Sequence, residues 1–212
     1  MAKERLKSPR LRAFVALELP PPIRRGIDVW GDQELTDPAL RRVPREHLHV
    51  TLVFLGWQAE KDISRIAKIL QASAGDAPLL QLLRDPASRP PRGKRPNFFA
   101  LEVSSPGAVL LQADLETRLE KARFYEPEKR PFWPHVTLAR ARGEKREGGG
   151  RSKRKMQVNK RPGPLPQELL QPFGAVRLTL YRSILRREGP IYDPLAQIEL
   201  PADGPVAKRR VR

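Results

Sequence analysis

The chain has no cysteine, and only three histidines among its 212 residues. Without cysteine there is no disulfide framework and no thiolate metal site, so a reducing cytoplasm is the simplest address. No apolar run approaches the roughly 18 residues that a membrane span needs, and no membrane association is expected. The N-terminal stretch MAKERLKSPRLRAFVALELP is basic, but it lacks an apolar segment of roughly 7–15 residues followed by a small-residue cleavage site. No signal peptide is read there.

What the chain has in excess is positive charge, a formal net +17. Residues 1–12 carry five Lys/Arg against one Glu, and residues 140–161 carry ten against two. The last five residues, KRRVR, add four more, so two chain ends and one loop hold nearly all of the excess. The body between them is close to neutral. Such clusters are a footprint for polyanions, RNA above all, because neutralising phosphates releases their counterions. The plainer reading is that basic ends serve solubility, and the basic loop offers no aromatic side chain on which a base would stack.

The length suits one sizeable core, or two small lobes that share one. Hydrophobic periodicity predicts a strand over 12–20, a helix over 21–35, a strand over 47–55 closed by Gly56, and a helix over 59–74. A short strand follows at 79–83, then a basic turn-rich connector over 88–96 and a strand over 97–103. A helix is expected over 106–124 and a strand over 134–142. Residues 143–170 show no core periodicity and read as a loop or flexible insertion. Strands over 176–185 and 191–200 finish the chain. This order implies an α+β fold rather than a regular doubly wound one.

Two of the three histidines open the same tetrapeptide, His49-Val-Thr-Leu52 and His135-Val-Thr-Leu138. Both copies fall on expected strands, where alternate side chains share a face, so each unit presents an imidazole beside a hydroxyl about 6–7 Å along. Two related halves facing each other would bring both units to one cleft. One imidazole would take a proton from water while the other gives one to a leaving oxygen, and the imidazole pKa near 6.5 suits both tasks. The hydroxyls of Thr51 and Thr137 would hold the non-bridging oxygens of a phosphate between them, with attacking and leaving oxygens in line. Two other readings stay open. A lone His-x-Thr on a strand is more often packing than chemistry. His47, His49 and His135 together would also make a three-imidazole metal site, although no carboxylate stands near His135.

At these residues the chain resembles the LigT-like RNA 2′,3′-cyclic phosphodiesterases, formerly named 2′-5′ RNA ligases, of the two-histidine phosphoesterase superfamily. The resemblance runs from about residue 11 to 200. RAFVALELP, VPREHLHVTLVFLG, RPFWPHVTLAR and LYRSILRREGPIYDPL carry it. It implies a bilobal α+β fold, two antiparallel sheets around a central cleft with helices outside. Residues 11–202 would form that single domain, between a basic extension over 1–10 and a basic tail over 203–212. The implied activity is hydrolysis of RNA 2′,3′-cyclic phosphate ends to 2′-phosphomonoesters, with neither cofactor nor metal.

By the same resemblance His49 is the proton donor and His135 the proton acceptor. Thr51, Thr137 and Arg140 would bind the phosphate, and Phe14, Arg130 and Phe132 are candidate substrate contacts. In a regular strand Arg140 faces away from His135, so it reaches the cleft only at a strand end or a bulge. Core packing for Phe14 and Phe132, and a carboxylate partner for Arg130, are the competing assignments. His47 and Arg42 depart from the family pattern. The expected partner is RNA with cyclic phosphate ends, tRNA fragments included, and a cytoplasmic monomer is expected. The competing function is an RNA-binding protein with a reversible, ATP-independent 2′-5′ RNA ligase side activity. Nothing in the chain resembles a nucleotidyltransferase lysine motif.

Overall fold

The strand RLRAFVALE alternates so that Leu11, Ala13, Val15 and Leu17 are buried against the core, while Phe14, Ala16 and Glu18 take the other face. This is β1 (Arg10–Glu18), and it lies at the centre of one lobe. The computed structural model describes residues 9–90, 95–145, 151–186 and 189–201. After β1 come α1 (Pro21–Glu34), β2 (Leu40–Arg42), β3 (His49–Ala59), α2 (Ile63–Ser73), β4 (Leu79–Leu82) and β5 (Ala87–Arg89). The second lobe continues with β6 (Phe98–Ser104), α3 (Pro106–Lys121) and β7 (His135–Ala141). A hairpin of β8 (Gly143–Lys145) and β9 (Arg151–Lys155) follows, then β10 (Phe173–Gly174), β11 (Arg177–Arg186) and β12 (Gly189–Glu199).

Every strand pairing is antiparallel, in the order β10-β4-β6-β7-β3-β1-β11-β12, with β2 added beside β7 and β5 beside β6. The fold is α+β, two antiparallel lobes that meet between β3 and β7 at the one pair Val50 and Val136. Both valines are fully buried. Helices α2 and α3 pack on each other outside the sheet, Ile66, Leu70, Leu115 and Leu119 facing the core. Pro106 opens α3, and Ser105 caps it by accepting from the Ala108 amide at 3.0 Å. No helix among the described residues is long and apolar enough to cross a membrane.

The two lobes repeat each other in register as well as in sequence. Phe14-Val-Ala-Leu-Glu18 on β1 corresponds to Phe98-Phe-Ala-Leu-Glu102 on β6. Each lies beside an HVTL strand in the same alignment: Glu18, Leu17 and Ala16 oppose His49, Val50 and Thr51, and Glu102, Leu101 and Ala100 oppose His135, Val136 and Thr137. The same irregularity follows in both, because Leu52 and Leu138 are each left unpaired as the bulged residue of the strand.

Several expectations need correction. Strand β3 does not stop at Gly56: that residue takes φ 67 and the ladder continues to Ala59, because a left-handed glycine accommodates a second register shift. At its start, residues 45–47 form a 3-10 turn. Helix α3 ends at Lys121 because Arg123 adopts φ 60 and the Phe124 amide donates back to the Leu119 carbonyl at 2.9 Å. Strands β2, β5 and β10 were not expected, since two or three residues carry no periodicity and exist through their partners. The basic segment read as a structureless loop contains the β8–β9 hairpin and then lies against the first lobe. Asp37 fastens it, with Oδ2 accepting from the Asn159 and Lys160 amides at 2.7 and 2.9 Å and Oδ1 from the Ala39 amide at 2.8 Å. Leu165 and Leu169 are buried beyond that point. The termini 1–8 and 202–212, and the tip of the basic loop at 146–150, lie outside the described residues.

Asp37→Ala would strand three amides that now meet a charged acceptor. It is expected to lower the unfolding free energy by about 2–4 kcal/mol, read from the midpoint shift in a urea titration.

Candidate active site

Because Val50 and Val136 point into the core, the residues flanking each of them point to the opposite face. Antiparallel pairing at that one bridge sets His49 toward Thr137 and Thr51 toward His135. The two imidazoles thus occupy one diagonal and the two hydroxyls the other. In a regular sheet that diagonal spans about 7–8 Å, and here the strands part on either side of the bridge, which opens it further. All four residues line one cleft of about 1060 Å³, large enough for a nucleotide and not only a phosphate.

Each imidazole is oriented by the carbonyl two residues before it. Nδ1–H of His49 donates to the His47 carbonyl at 2.7 Å, and Nδ1–H of His135 donates to the Trp133 carbonyl at 2.7 Å. With Nδ1 protonated, Nε2 is the basic nitrogen of each neutral ring. His49 Nε2 accepts from the Thr51 hydroxyl at 3.0 Å. Among the described residues, Nε2 of His135 has no hydrogen-bond partner. Aromatic rings fix both imidazoles from the side. Phe14 stacks on His49 at 5.1 Å, and Trp133 stacks on His135 at 4.2 Å with Phe98 at 6.0 Å beyond it.

Burial drives the His49 pKa down to about 4, and the nearby His47, His135 and Arg140 act the same way, against the opposing pull of the His47 carbonyl. His135 is also lowered, first by burial and then by Arg140 and Arg89, while the Trp133 carbonyl and Glu102 oppose the shift. Both rings are therefore neutral at pH 7, and both would be favoured in their protonated form by an anion beside them.

The repeated bulge decides what joins them. A strand without it would turn Phe54 and Arg140 away from Thr51 and Thr137. With Leu52 and Leu138 bulged, both residues line the cleft. Arg140 rests over the Phe98 ring at 5.6 Å, so the condition set for it by the sequence is present. Phe14 lines the cleft too but is only 4% exposed, packed between His49 and Tyr181. That makes it a support for the imidazole rather than a free stacking face. Arg130 is largely exposed and paired with Glu128 at 3.0 Å, and Phe132 packs against the core; neither lines the cleft. Arg42 is engaged by Asp28 at 2.7 Å and by Asp32. His47 turns its ring to Tyr192 at 4.7 Å, and no group of three His, Cys, Asp or Glu side chains among the described residues is placed to hold a metal.

Several residues in and behind the cleft were not among the candidates in the sequence. Glu18 is buried, its Oε1 accepting from Thr179 (2.7 Å), the Tyr181 hydroxyl (2.9 Å) and Gln197 (3.0 Å), while Oε2 meets Arg177 at 3.0 Å. Burial alone would raise its pKa, yet these donors hold it below the usual carboxylate value. Glu18 thereby anchors Tyr181, which backs Phe14, which backs His49. Tyr192, Arg12, Arg41 and Arg186 complete the wall and rim. The repeat of FVALE as FFALE was a usable signal for Glu18 and Phe98; the tyrosines and rim arginines had none.

Residues 19–164 match the family model described as the 2′-5′ RNA ligase superfamily. Among curated relatives, an RNA 2′,3′-cyclic phosphodiesterase of Aeropyrum pernix is 28% identical over 81% of this chain and 92% of its own. One of Escherichia coli is 32% identical over 63% of this chain and 73% of its own. Among solved structures, Escherichia coli LigT complexed with 3′-AMP superposes with a TM-score of 0.69 at 24% identity, covering 91% of this chain and 99% of that one. TT0787 of Thermus thermophilus gives 0.69 at 24% identity, over 90% and 98%. The chain belongs to the 2′-5′ RNA ligase superfamily, and its fold is that of the LigT-like proteins.

Removing the Arg140 charge relieves both imidazoles. In Arg140→Met the His49 and His135 pKa values are expected to move up toward 6.5, followed through the imidazole C–H resonances in a pH titration.

Proposed function

We propose that the protein hydrolyses RNA 2′,3′-cyclic phosphate ends to 2′-phosphomonoesters without a metal, using His49 and His135 as an acid–base pair. The observation that carries this reading is the diagonal placement of two imidazoles, each with its Nδ1 occupied, around one cleft with two hydroxyls between them. The curated relatives bear the name of that activity.

A cyclic phosphate seated on the diagonal has its non-bridging oxygens beside Thr51, Thr137 and Arg140. His135 Nε2 takes a proton from water as the water oxygen bonds to phosphorus. The P–O3′ bond breaks on the far side, and His49 Nε2 gives its proton to O3′. One water is consumed, a 2′-phosphate and a free 3′-hydroxyl remain, and the proton has passed from one ring to the other. The hydroxyls and Arg140 stabilise charge that grows on the phosphoryl oxygens.

A donor with a pKa of about 4 holds no proton at pH 7. The substrate supplies the remedy. An anionic charge about 4 Å from the ring contributes about 4 kcal/mol at an effective dielectric of 20, or about three pKa units. His49 then becomes a competent donor near neutral pH only when the phosphate is in place. The protein accordingly should take up a proton when an anion fills the cleft. Titration with sulfate, which stays dianionic near pH 7, in buffers of different ionisation enthalpy measures that uptake, and binding heats independent of buffer would contradict it.

Either His49→Ala or His135→Ala is expected to lower turnover of a 2′,3′-cyclic-ended RNA about 10²–10⁴-fold with folding intact. EDTA should leave wild-type turnover unchanged, and the product should be the 2′-monoester. Near-normal turnover by either variant would overturn the mechanism, and loss with EDTA restored by zinc would overturn the metal-free reading.

A further inference from the structure

The cleft is not the end of the aromatic surface on this face of the sheet. Beyond the bulge, the register sets Trp57 opposite Arg12, so both share the face that carries Phe14 and Phe54. Rings then follow one another outward from the reactive imidazole: His49 to Phe14 at 5.1 Å, Phe14 to Phe54 at 6.1 Å, and Trp57 two ladder steps further along, about 7 Å away. The first ring is buried and the outer two are not. Phe54 is 57% exposed and Trp57 58%. An exposed tryptophan and phenylalanine on one strand face have no role in the core, and neither takes part in the acid–base step.

A second depression of about 550 Å³ lies there, lined by Arg10, Phe54, Gly56, Trp57, Arg123 and Tyr125 among others. It shares Phe54 and Gly56 with the cleft, so the two adjoin. Gly56 lines both, and a side chain added there would project into open space. Cations flank the rings on the β1 side. Arg10 donates to the Trp57 carbonyl at 2.8 Å, and no carboxylate among the described residues pairs with Arg10 or Arg12. Glu120 and Glu126 also line the depression. A polyanion would run along the arginine edge with its bases turned to the rings.

Stacking faces beside a track of guanidiniums are what single-stranded nucleic acid needs. We infer that Phe54 and Trp57 form a shelf for the one or two nucleotides preceding the reacting terminus, with Arg12 and Arg10 on their phosphates. The inference rests on the phosphodiesterase reading and extends it: the substrate class is an oligoribonucleotide, and a cyclic mononucleotide leaves the shelf empty.

The test compares a 2′,3′-cyclic mononucleotide with a short oligoribonucleotide ending in the same group. Trp57→Ala is expected to lower kcat/KM for the oligonucleotide about 5- to 100-fold, mainly through KM, and to leave the mononucleotide unchanged. Trp57→Phe should keep most of the oligonucleotide rate, since an aromatic face remains. Arg12→Gln should flatten the salt dependence of oligonucleotide binding by close to one phosphate contact. Binding of the cyclic-ended oligonucleotide to His49→Ala should quench tryptophan fluorescence more than the cyclic mononucleotide does, and His49→Ala/Trp57→Phe should lose that difference. Equal loss on both substrates, or none on either, overturns the shelf while leaving the activity standing. Failure of the wild-type protein on both the oligonucleotide and the mononucleotide overturns the activity itself. Trp57 is exposed, and an unchanged melting temperature in its variants separates stacking from misfolding.

Discussion

One backbone pairing, Val50 against Val136, holds the two lobes in the relation on which the cleft depends. Both side chains are driven into the core, and strand alternation then forces His49, Thr51, His135 and Thr137 out of it on the same side. A longer ladder between these strands would have kept the imidazoles at sheet spacing and left no room for a phosphate. Beside the bridge, β2 pairs with β7 over Leu40–Arg42 and helps to fix their mutual angle. A single bridge followed by divergence leaves that room.

The cleft is arranged for an anion before one arrives. Two neutral imidazoles are kept neutral by burial and by the guanidiniums around them, and Arg140 acts on both. That positive field is worth most where water is thin. The repeated glutamates show how one motif came to serve two ends. Glu18 is consumed by four donors and works as a bracket for the ring stack behind His49. Glu102, at the same place beside His135, accepts no such set of bonds among the described residues, and its charge favours the protonated ring opposite.

Much of this was legible along the chain, for reasons that differ by residue. His49 and His135 stood out because histidine is scarce and both copies carry HVTL, a pattern that strand alternation converts directly into geometry. The main strands and helices were readable because their apolar residues recur at the right period. The short strands β2, β5 and β10 carry no period of their own. Phe14, Arg130 and Phe132 are comparable candidates in sequence, yet one supports His49, one pairs with Glu128 in solvent, and one is packed against the core. The basic segment offered only composition; its anchoring by Asp37 is a contact across more than 120 residues.

By itself the sequence determined the α+β class, the doubled HVTL unit, the family, and the charge at the chain ends and in the loop. These are properties of local order, expressed through backbone alternation and side-chain chemistry. The tertiary structure decided that the two units share a cleft, that a bulge swings Arg140 and Phe54 into it, and that Tyr181 and Glu18 stand behind His49. It also decided that Trp57 and Arg12 extend the same face. Register between distant strands sets all of these, and register is settled by the packing of whole lobes rather than by any stretch of residues alone.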